Sequence, residues 1–362
     1  MSDGRVTLSA IAQLADVSHT TVSRVLSGNQ AISKPTRDRV LSVAKELNYI
    51  PVRRVRTVAT NKTTERPLQV QLVFCQLLWR LEKSPAGYFM QIVQGCEQAA
   101  QADGNVEYRW SYWQPSDDYR GIVERVRSGG RNGGVILIGH SRPELVRDLM
   151  DNGVAVVLAD HEHADIDVDA VLPDNVAGGV AAAQHLIDRG FRRIGWLGGP
   201  ENMVNWSQRL LGAQVAMARA GLTMRPQDCR NPCGPSMMGV LTETFEQAMA
   251  QWLDEGDLPE ALVLPSTWQA ATVQRVMLEK GLRCPDDMSM VSFDDDLFVS
   301  MCSTRPTRLA TLPENTGRRA MERLSQILRD PEGSGPSYKT VIPMKLIEGQ
   351  SVGHPGSRPT GN

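Results

Sequence analysis

The stretch Val17-Ser18-His19-Thr20-Thr21-Val22-Ser23-Arg24-Val25-Leu26-Ser27 has two faces of opposite chemistry, and only one of them can be buried. At helical spacing Val22, Val25 and Leu26 share one side; Thr20, Ser23, Arg24 and Ser27 share the other, with His19 at the exposed start. Ser18 is an N-cap residue whose hydroxyl accepts an orphan N–H of the first turn, so the helix is predicted to begin at His19. A short helix led by small hydroxyl residues, with an Arg one turn further in, is shaped to enter a groove and meet phosphates and base edges.

The flanking sequence extends this pattern. Thr7 can cap a preceding helix whose stripe is Leu8, Ile11, Leu14 and Ala15. Asp16 then supplies the left-handed backbone that a tight helix–helix turn requires. A third helix is predicted from Pro35 to about Leu47, with Val40, Ala44 and Leu47 inward. Residues 1–50 therefore read as an all-α helix-turn-helix head. A small three-helix bundle with no nucleic-acid partner shares the same apolar pattern.

Val6-Thr7-Leu8, Ile11-Ala12, Val17-Ser18, the run Thr21–Leu26, Thr36-Arg37 and Leu47-Asn48-Tyr49-Ile50-Pro51 resemble the DNA-binding head of the lactose/galactose repressor (LacI/GalR) family. The resemblance covers nearly the whole chain. It implies that His19, Thr20 and Arg24 face base edges, that Ser18, Thr21 and Ser33 lie nearer phosphates, and that Thr7 and Ser23 complete the DNA-facing set.

Charge is distributed to match. The net charge of −2 divides into +6 over residues 1–66, from 11 Lys and Arg against 5 Asp and Glu, and −8 over the rest, from 28 against 36. A basic head on an acidic body presents only one end to a polyanion. The 362 residues are ample for a head and a large core. No apolar run is long enough to span a bilayer and no signal-peptide core opens the chain, so the expected compartment is the cytoplasm. The six scattered cysteines are then expected to be reduced thiols. Cys229 and Cys233 have no second pair at ligand spacing, which argues against zinc.

Residues 51–67 shift to Arg53, Arg54, Arg56, Thr57, Asn61, Thr63 and Thr64, the composition of a linker. The resemblance implies a short hinge helix formed on DNA, with Val58 at the position that wedges into the minor groove. Without DNA, residues 52–59 are expected to be disordered or weakly helical, and the arginines can neutralise phosphates or enter a narrow minor groove.

From Leu68 the chain alternates apolar runs with amphipathic stretches. Leu68–Phe74, Val106–Trp110, Val135–Ile138, Val154–Leu158, Ile194–Leu197, Ala261–Leu264 and Met290–Phe293 are predicted strands, with helices between them. Parallel sheets covered by helices on both faces follow, in two lobes rather than one. The resemblance implies an α/β two-lobed periplasmic-binding-protein-like core over 68–351, with crossings near 173, 305 and 336. Lobe 1 is then 68–173 with 306–335, lobe 2 is 174–305 with 336–351, and 352–362 is a tail.

Open parallel sheets bind ligands beyond the carboxyl ends of their strands, and a cleft between two lobes is a natural pocket. Asp160 and Asp294 end strands there. Arg209, in the segment Arg209-Leu210-Leu211-Gly212 that resembles the family's helix start, opens a helix facing them. An Arg among carboxylates can fork onto vicinal hydroxyls, or simply form an interlobe ion pair. Phe89, Trp206 and Trp268 can stack on a sugar face or belong to the core. Ser266-Thr267 replaces an Asn-Asp common in the family, and the Cys233–Met238 loop lacks an aromatic found in some relatives, so ligand identity does not transfer.

Two other classes compete. Asp160-His161-Glu162-His163, with Asp165, Asp167 and Asp169, is the densest run of metal-ligand residue types and would serve a metal-dependent enzyme. Asp165, Asp167 and Asp169 alternate with apolar residues as in an exposed strand, and no Walker loop, dinucleotide fingerprint, nucleophile elbow or zincin helix is present. An exported solute-binding protein fits the core but not the head. The reading adopted is a homodimeric regulator without cofactor, metal or enzyme activity. It would read a near-palindromic operator on double-stranded DNA and repress carbohydrate-utilisation genes under a sugar-like effector. No C-terminal heptad helix points to a tetramer.

Overall fold

A computed structural model of the chain describes residues 8–26, 32–46, 53–55, 66–75, 86–113, 120–127, 133–199, 203–232, 241–294, 296–330 and 335–355. The head consists of α1 (Leu8–Leu14), α2 (His19–Leu26) and α3 (Lys34–Glu46). Ile11, Ala12, Ala15, Val22, Val25 and Val40 form its buried core. Leu14, expected on the buried stripe, is 62% exposed, because the helix ends there and the chain turns at Asp16 with φ 49°.

A three-residue strand β1 (Arg53–Val55) then precedes the core. The first lobe continues with β2 (Leu68–Cys75), α4 (Ala86–Asp103), β3 (Val106–Trp113), α5 (Arg120–Arg127), β4 (Gly133–Ile138), α6 (Pro143–Asp151), β5 (Ala155–Ala159) and β6 (Asp169–Pro173). The second contains α7 (Asn175–Asp188), β7 (Ile194–Leu197), α8 (Val204–Arg219), β8 (Cys229–Arg230), α9 (Leu241–Glu255), β9 (Ala261–Val263), α10 (Thr267–Glu279), β10 (Ser289–Phe293) and β11 (Thr307–Ala310). Last come α11 (Pro313–Arg329), β12 (Lys339–Ile342) and β13 (Lys345–Ile347).

Two sheets result, ordered β1-β3-β2-β4-β5-β6-β12 and β13-β11-β10-β9-β7-β8. Among the described residues only β1 and β13 run antiparallel to their neighbours. Strands such as β4 are buried throughout, as parallel strands covered on both faces must be. In the first lobe α4 and α11 cover one face, and α5 and α6 the other. In the second α7 and α8 cover one face, and α9 and α10 the other.

The crossings fall later than expected at two places. β11 pairs with β10, so the chain leaves the second lobe after residue 310 rather than 305. β12 pairs with β6, so it leaves the first lobe after 342 rather than 336. Both strands are short, and β12 lies at a sheet edge with Val341 half exposed, so neither carries a long apolar run. The linker differs as well. Arg53, Arg54 and Val55 pair with Trp110, Arg109 and Tyr108 of β3, in a strand where disorder or weak helix was expected. Without them β3 would present an open row of N–H and C=O groups, which an extended segment satisfies.

Each lobe brings two helices into backbone contact through glycines. A Cβ on Gly179 of α7 would lie 2.1 Å from the Arg209 carbonyl oxygen, and one on Gly212 of α8 would lie 2.1 Å from that of Val176. In the other lobe Gly95 and Gly317 meet the carbonyls of Glu314 and Ile92 at 1.9 and 1.8 Å in the same sense. These neighbours are backbone and cannot rotate away. Gly212→Ala should therefore force α7 and α8 apart and destabilise the core by about 1–3 kcal/mol in urea unfolding, whereas unchanged stability would show that the crossing is loose.

Candidate functional site: DNA-facing helix and interlobe cleft

In the head, Ser18 accepts the Thr21 N–H at 3.0 Å and its hydroxyl lies 2.8 Å from that of Thr21, which starts α2 at His19. Ser18, His19 and Thr20 are exposed and Thr21 half-buried, opposite the buried Val22 and Val25. Ser33 is exposed at the start of α3, with its hydroxyl 2.8 Å from that of Thr36. Ser23 and Arg24 fall within α2, and Arg53 and Arg54 within β1. Thr7 and Val58 lie outside the described residues.

The cleft is built from strand ends. Asp160 follows β5 directly and Asp294 follows β10, both in left-handed backbone with φ 64° and 80°. Their N–H groups donate to Val171 and Leu309 on the neighbouring strands, which holds each carboxylate at the lip of its sheet. Asp tolerates this conformation better than most residues, and such strain persists where surrounding structure over-determines it.

Arg209 is 2% exposed. Its Nε donates to Asn175 Oδ1 at 2.9 Å, and one terminal nitrogen donates to the Pro265 carbonyl at 2.5 Å and to Asp294 at 3.1 Å. The guanidinium also lies over the Phe293 ring, 4.7 Å from its centroid. Asp160 accepts from Tyr88 Oη at 3.0 Å and from Asn205 Nδ2 at 3.2 Å, and Asn205 also donates to its carbonyl at 3.0 Å. Burial raises the Asp160 carboxyl from 3.8 to about 7, against the lowering effect of Arg209 and Tyr88. Burial likewise raises the Tyr88 hydroxyl, so it remains a donor.

Sequence reasoning did not assign roles to several neighbours. Asn205, Gln208 and Arg209 share one face of α8 by their spacing. Gln208 donates to Glu162 at 2.5 Å, so this one face bonds to both Asp160 and Glu162 of the other lobe. Glu162 is itself buried and paired with Lys339 of β12. His140, His161 and His163 cluster beyond the ends of β4 and β5, with ring centroids 4.3 Å apart for the first two and 4.6 Å for the last two. The Asp160–His163 run was visible as polar residues after a strand, but a loop gave no signal that His161 and Glu162 would be buried. Asp169, grouped there with the loop, is buried in β6 and held by Arg323 at 2.7 Å.

Phe89 packs in the first lobe's core, edge to face with Tyr88 and against Gly139 after β4. Trp206 rests on Gly199 after β7. Both therefore lie at carboxyl ends of strands. Trp268 instead packs edge-on to Phe245 in the α9/α10 layer. The departure at Ser266-Thr267 has a local use. Ser266 caps α10 by accepting the Gln269 N–H at 3.4 Å, and buried Thr267 donates to the Phe293 carbonyl at 2.7 Å.

A helix-turn-helix head on two doubly wound lobes with a polar cleft between them defines a transcriptional regulator with a periplasmic-binding-protein-like core. The profile of bacterial regulatory proteins, lacI family, matches residues 7–52, and that of the periplasmic binding protein-like domain matches residues 183–352. The two matched segments are those of a LacI-family transcriptional regulator with a periplasmic-binding-protein-like effector domain.

Among its relatives is the HTH-type transcriptional regulator CelR of Thermobifida fusca, 29% identical over 325 residues, covering 87% of this chain and 89% of that one. The HTH-type transcriptional repressor CytR of Escherichia coli is 27% identical over 317 residues, covering 87% of each chain. Among solved structures, a CelR–cellobiose complex has a TM-score of 0.68 at 25% identity, covering 96% of this chain and 100% of that one. The lac repressor dimer bound to operator and an anti-inducer shares the fold, with a TM-score of 0.63 at 22% identity over 96% and 98% of the two chains. No helix among the described residues is long and apolar enough to cross a membrane.

The raised carboxyl of Asp160 has a consequence for stability. Between its unfolded value of 3.8 and its folded value of about 7, the folded state holds a proton that the unfolded state has released, so stability falls as pH rises through that window. Asp160→Asn removes the penalty. The variant should exceed the natural protein in stability by on the order of 2 kcal/mol at about pH 8, with the difference shrinking toward about pH 4. Urea unfolding at both pH values checks this, and a difference independent of pH would contradict it.

Proposed function

We propose that the protein is a homodimeric repressor of carbohydrate-utilisation genes. In this reading it binds a near-palindromic operator and is controlled by a sugar or sugar derivative between its lobes. The observation that carries the reading is the convergence of Asp160, Arg209 and Asp294 in a chain whose head exposes a hydroxyl-rich α2 face. The resemblance to a regulator whose complex contains cellobiose supports the carbohydrate class. His19, Thr20 and Arg24 read base edges, while Thr7, Ser18, Thr21, Ser23 and Ser33 position the helix. Arg53 and Arg54 neutralise phosphates, and Val58 wedges at the centre of the site. Phe89 and Trp206, at the carboxyl ends of strands, are the aromatic candidates beside the polar effector contacts, and Trp268 belongs to the α9/α10 layer. Lobe closure around the ligand shifts the two first lobes across the dimer and spreads the hinges.

Selection of bound DNA from random sequence, with and without a panel of neutral sugars, tests the proposal. A near-palindromic consensus should emerge, and one sugar should weaken or strengthen its retention. Against that consensus, Arg24→Ala should cost about 1–3 kcal/mol while leaving random DNA nearly unaffected. Equal losses on both would reduce Arg24 to a phosphate contact.

The β1–β3 pairing adds a second expectation. A hinge helix and this strand cannot coexist, so operator binding must release residues 53–55 from β3. Hydrogen exchange should show new protection across 52–59 on operator, together with lost protection at the β3 edge near Tyr108–Trp110. Unchanged exchange in both segments would rule out the conversion.

A further inference from the structure

The three histidines beyond β4 and β5 lie outside the Asp160–Arg209–Asp294 set, yet they sit at the same end of the same sheet, beside Asp160. His140 Nδ1 and His161 Nδ1 are 3.3 Å apart, and His163 Nε2 lies 3.1 Å from the Ser141 hydroxyl. His161 is 4% exposed, and its Nε2 is buried without a hydrogen-bond partner among the described residues. An unpaired buried polar atom costs about 1–3 kcal/mol, and at a ligand-binding end of a sheet that penalty is relieved when a ligand supplies the partner. By contrast, Asp160 and Arg209 already have partners from the chain itself.

The charge around this atom restricts what can arrive. Among the described residues the acidic groups there include Asp160, Glu162, Asp165 and Asp294, while the cations Arg147, Arg209 and Lys339 are held by Asp165, Asp294 and Glu162. The imidazoles add no positive charge. Burial lowers all three, with His163 also lowering His140, and with His140 and His163 lowering His161 further, to about 2. A phosphate or carboxylate on the ligand would therefore be desolvated beside acidic groups, where Arg147, Arg209 and Lys339 are each already in an ion pair.

We infer that the effector is an uncharged polyhydroxylated molecule, not a sugar phosphate or sugar acid, and that His161 Nε2 hydrogen-bonds one of its hydroxyls. The inference rests on the sugar-effector reading above and narrows it. Calorimetric titration of the full chain with glucose, galactose, ribose, cellobiose and lactose, each beside glucose 6-phosphate, ribose 5-phosphate, glucuronate and lactobionate, tests it. A neutral sugar should bind at least about tenfold tighter than its charged counterpart. His161→Ala should weaken that sugar about tenfold, and His161→Gln, which keeps a hydrogen-bonding group, should lose less. Retained operator binding shows that each variant is folded, and His161→Gln stands in if His161→Ala is not. A charged counterpart that binds tighter, or a folded His161 variant pair with unaltered affinity, overturns this inference and leaves the sugar reading intact. A panel in which no sugar of either kind binds overturns both.

Discussion

The contact of α7 with α8 fixes the position of everything in the cleft. Gly179 lies so close to the Arg209 carbonyl that no side chain fits between them, and the same helix face reaches Asn175 through the Arg209 side chain. A guanidinium that is almost wholly buried needs every donor directed, because an unpaired buried charge is far more costly than a buried pair. Here Asn175 takes the Nε donor, the Pro265 carbonyl and Asp294 take one terminal nitrogen, and Phe293 lies beneath the guanidinium plane. A shift of α8 along α7 would break these contacts together. The helix crossing and the charged centre are therefore one construction.

The first lobe repeats the same physics with different residues. Gly95 and Gly317 let α4 and α11 meet backbone to backbone, and Asp160 stands after β5 as Asp294 stands after β10. The internal correspondence is one of backbone geometry: a close helix pair over one face and a left-handed Asp at a strand end. Two lobes of like design can therefore differ in sequence. Such geometry requires glycine or Asp at single positions and leaves the remaining residues free.

Legibility in the sequence followed the same division. The start of α2 at His19, the left-handed turn at Asp16 and the alternation of strands and helices could be read directly, since capping, turn chemistry and apolar periodicity are local signals. The union of Asp160, Arg209 and Asp294 depended on family resemblance, because nothing local relates residues so distant in the chain. β11, β12 and the pairing of Arg53–Val55 were not legible: each is a short segment whose state is decided by the strand it meets. His161 and Glu162 show the opposite failure. Their polarity marked them as solvated loop, whereas the sheet edge and α8 enclose them.

The partners of that enclosed segment bear on how the lobes can respond. Asn205 holds Asp160 through its carboxyl and its carbonyl, and Gln208 holds Glu162, so three hydrogen bonds among the described residues join the lobes. A ligand that merely replaced them with equivalent bonds would favour neither arrangement of the lobes, because only differential affinity moves a conformational equilibrium. The effective ligand is one that recruits groups left unsatisfied in this arrangement, or one that separates Asp160 from Asn205 without leaving its carboxyl unpaired. Asp160 is suited to the second course, since Tyr88 remains its donor from within the same lobe. Under the proposed control by a sugar, the second lobe's grip on Asp160 would be exchanged for a ligand hydroxyl while the Tyr88 bond persists, so a buried carboxyl would not be left without a partner.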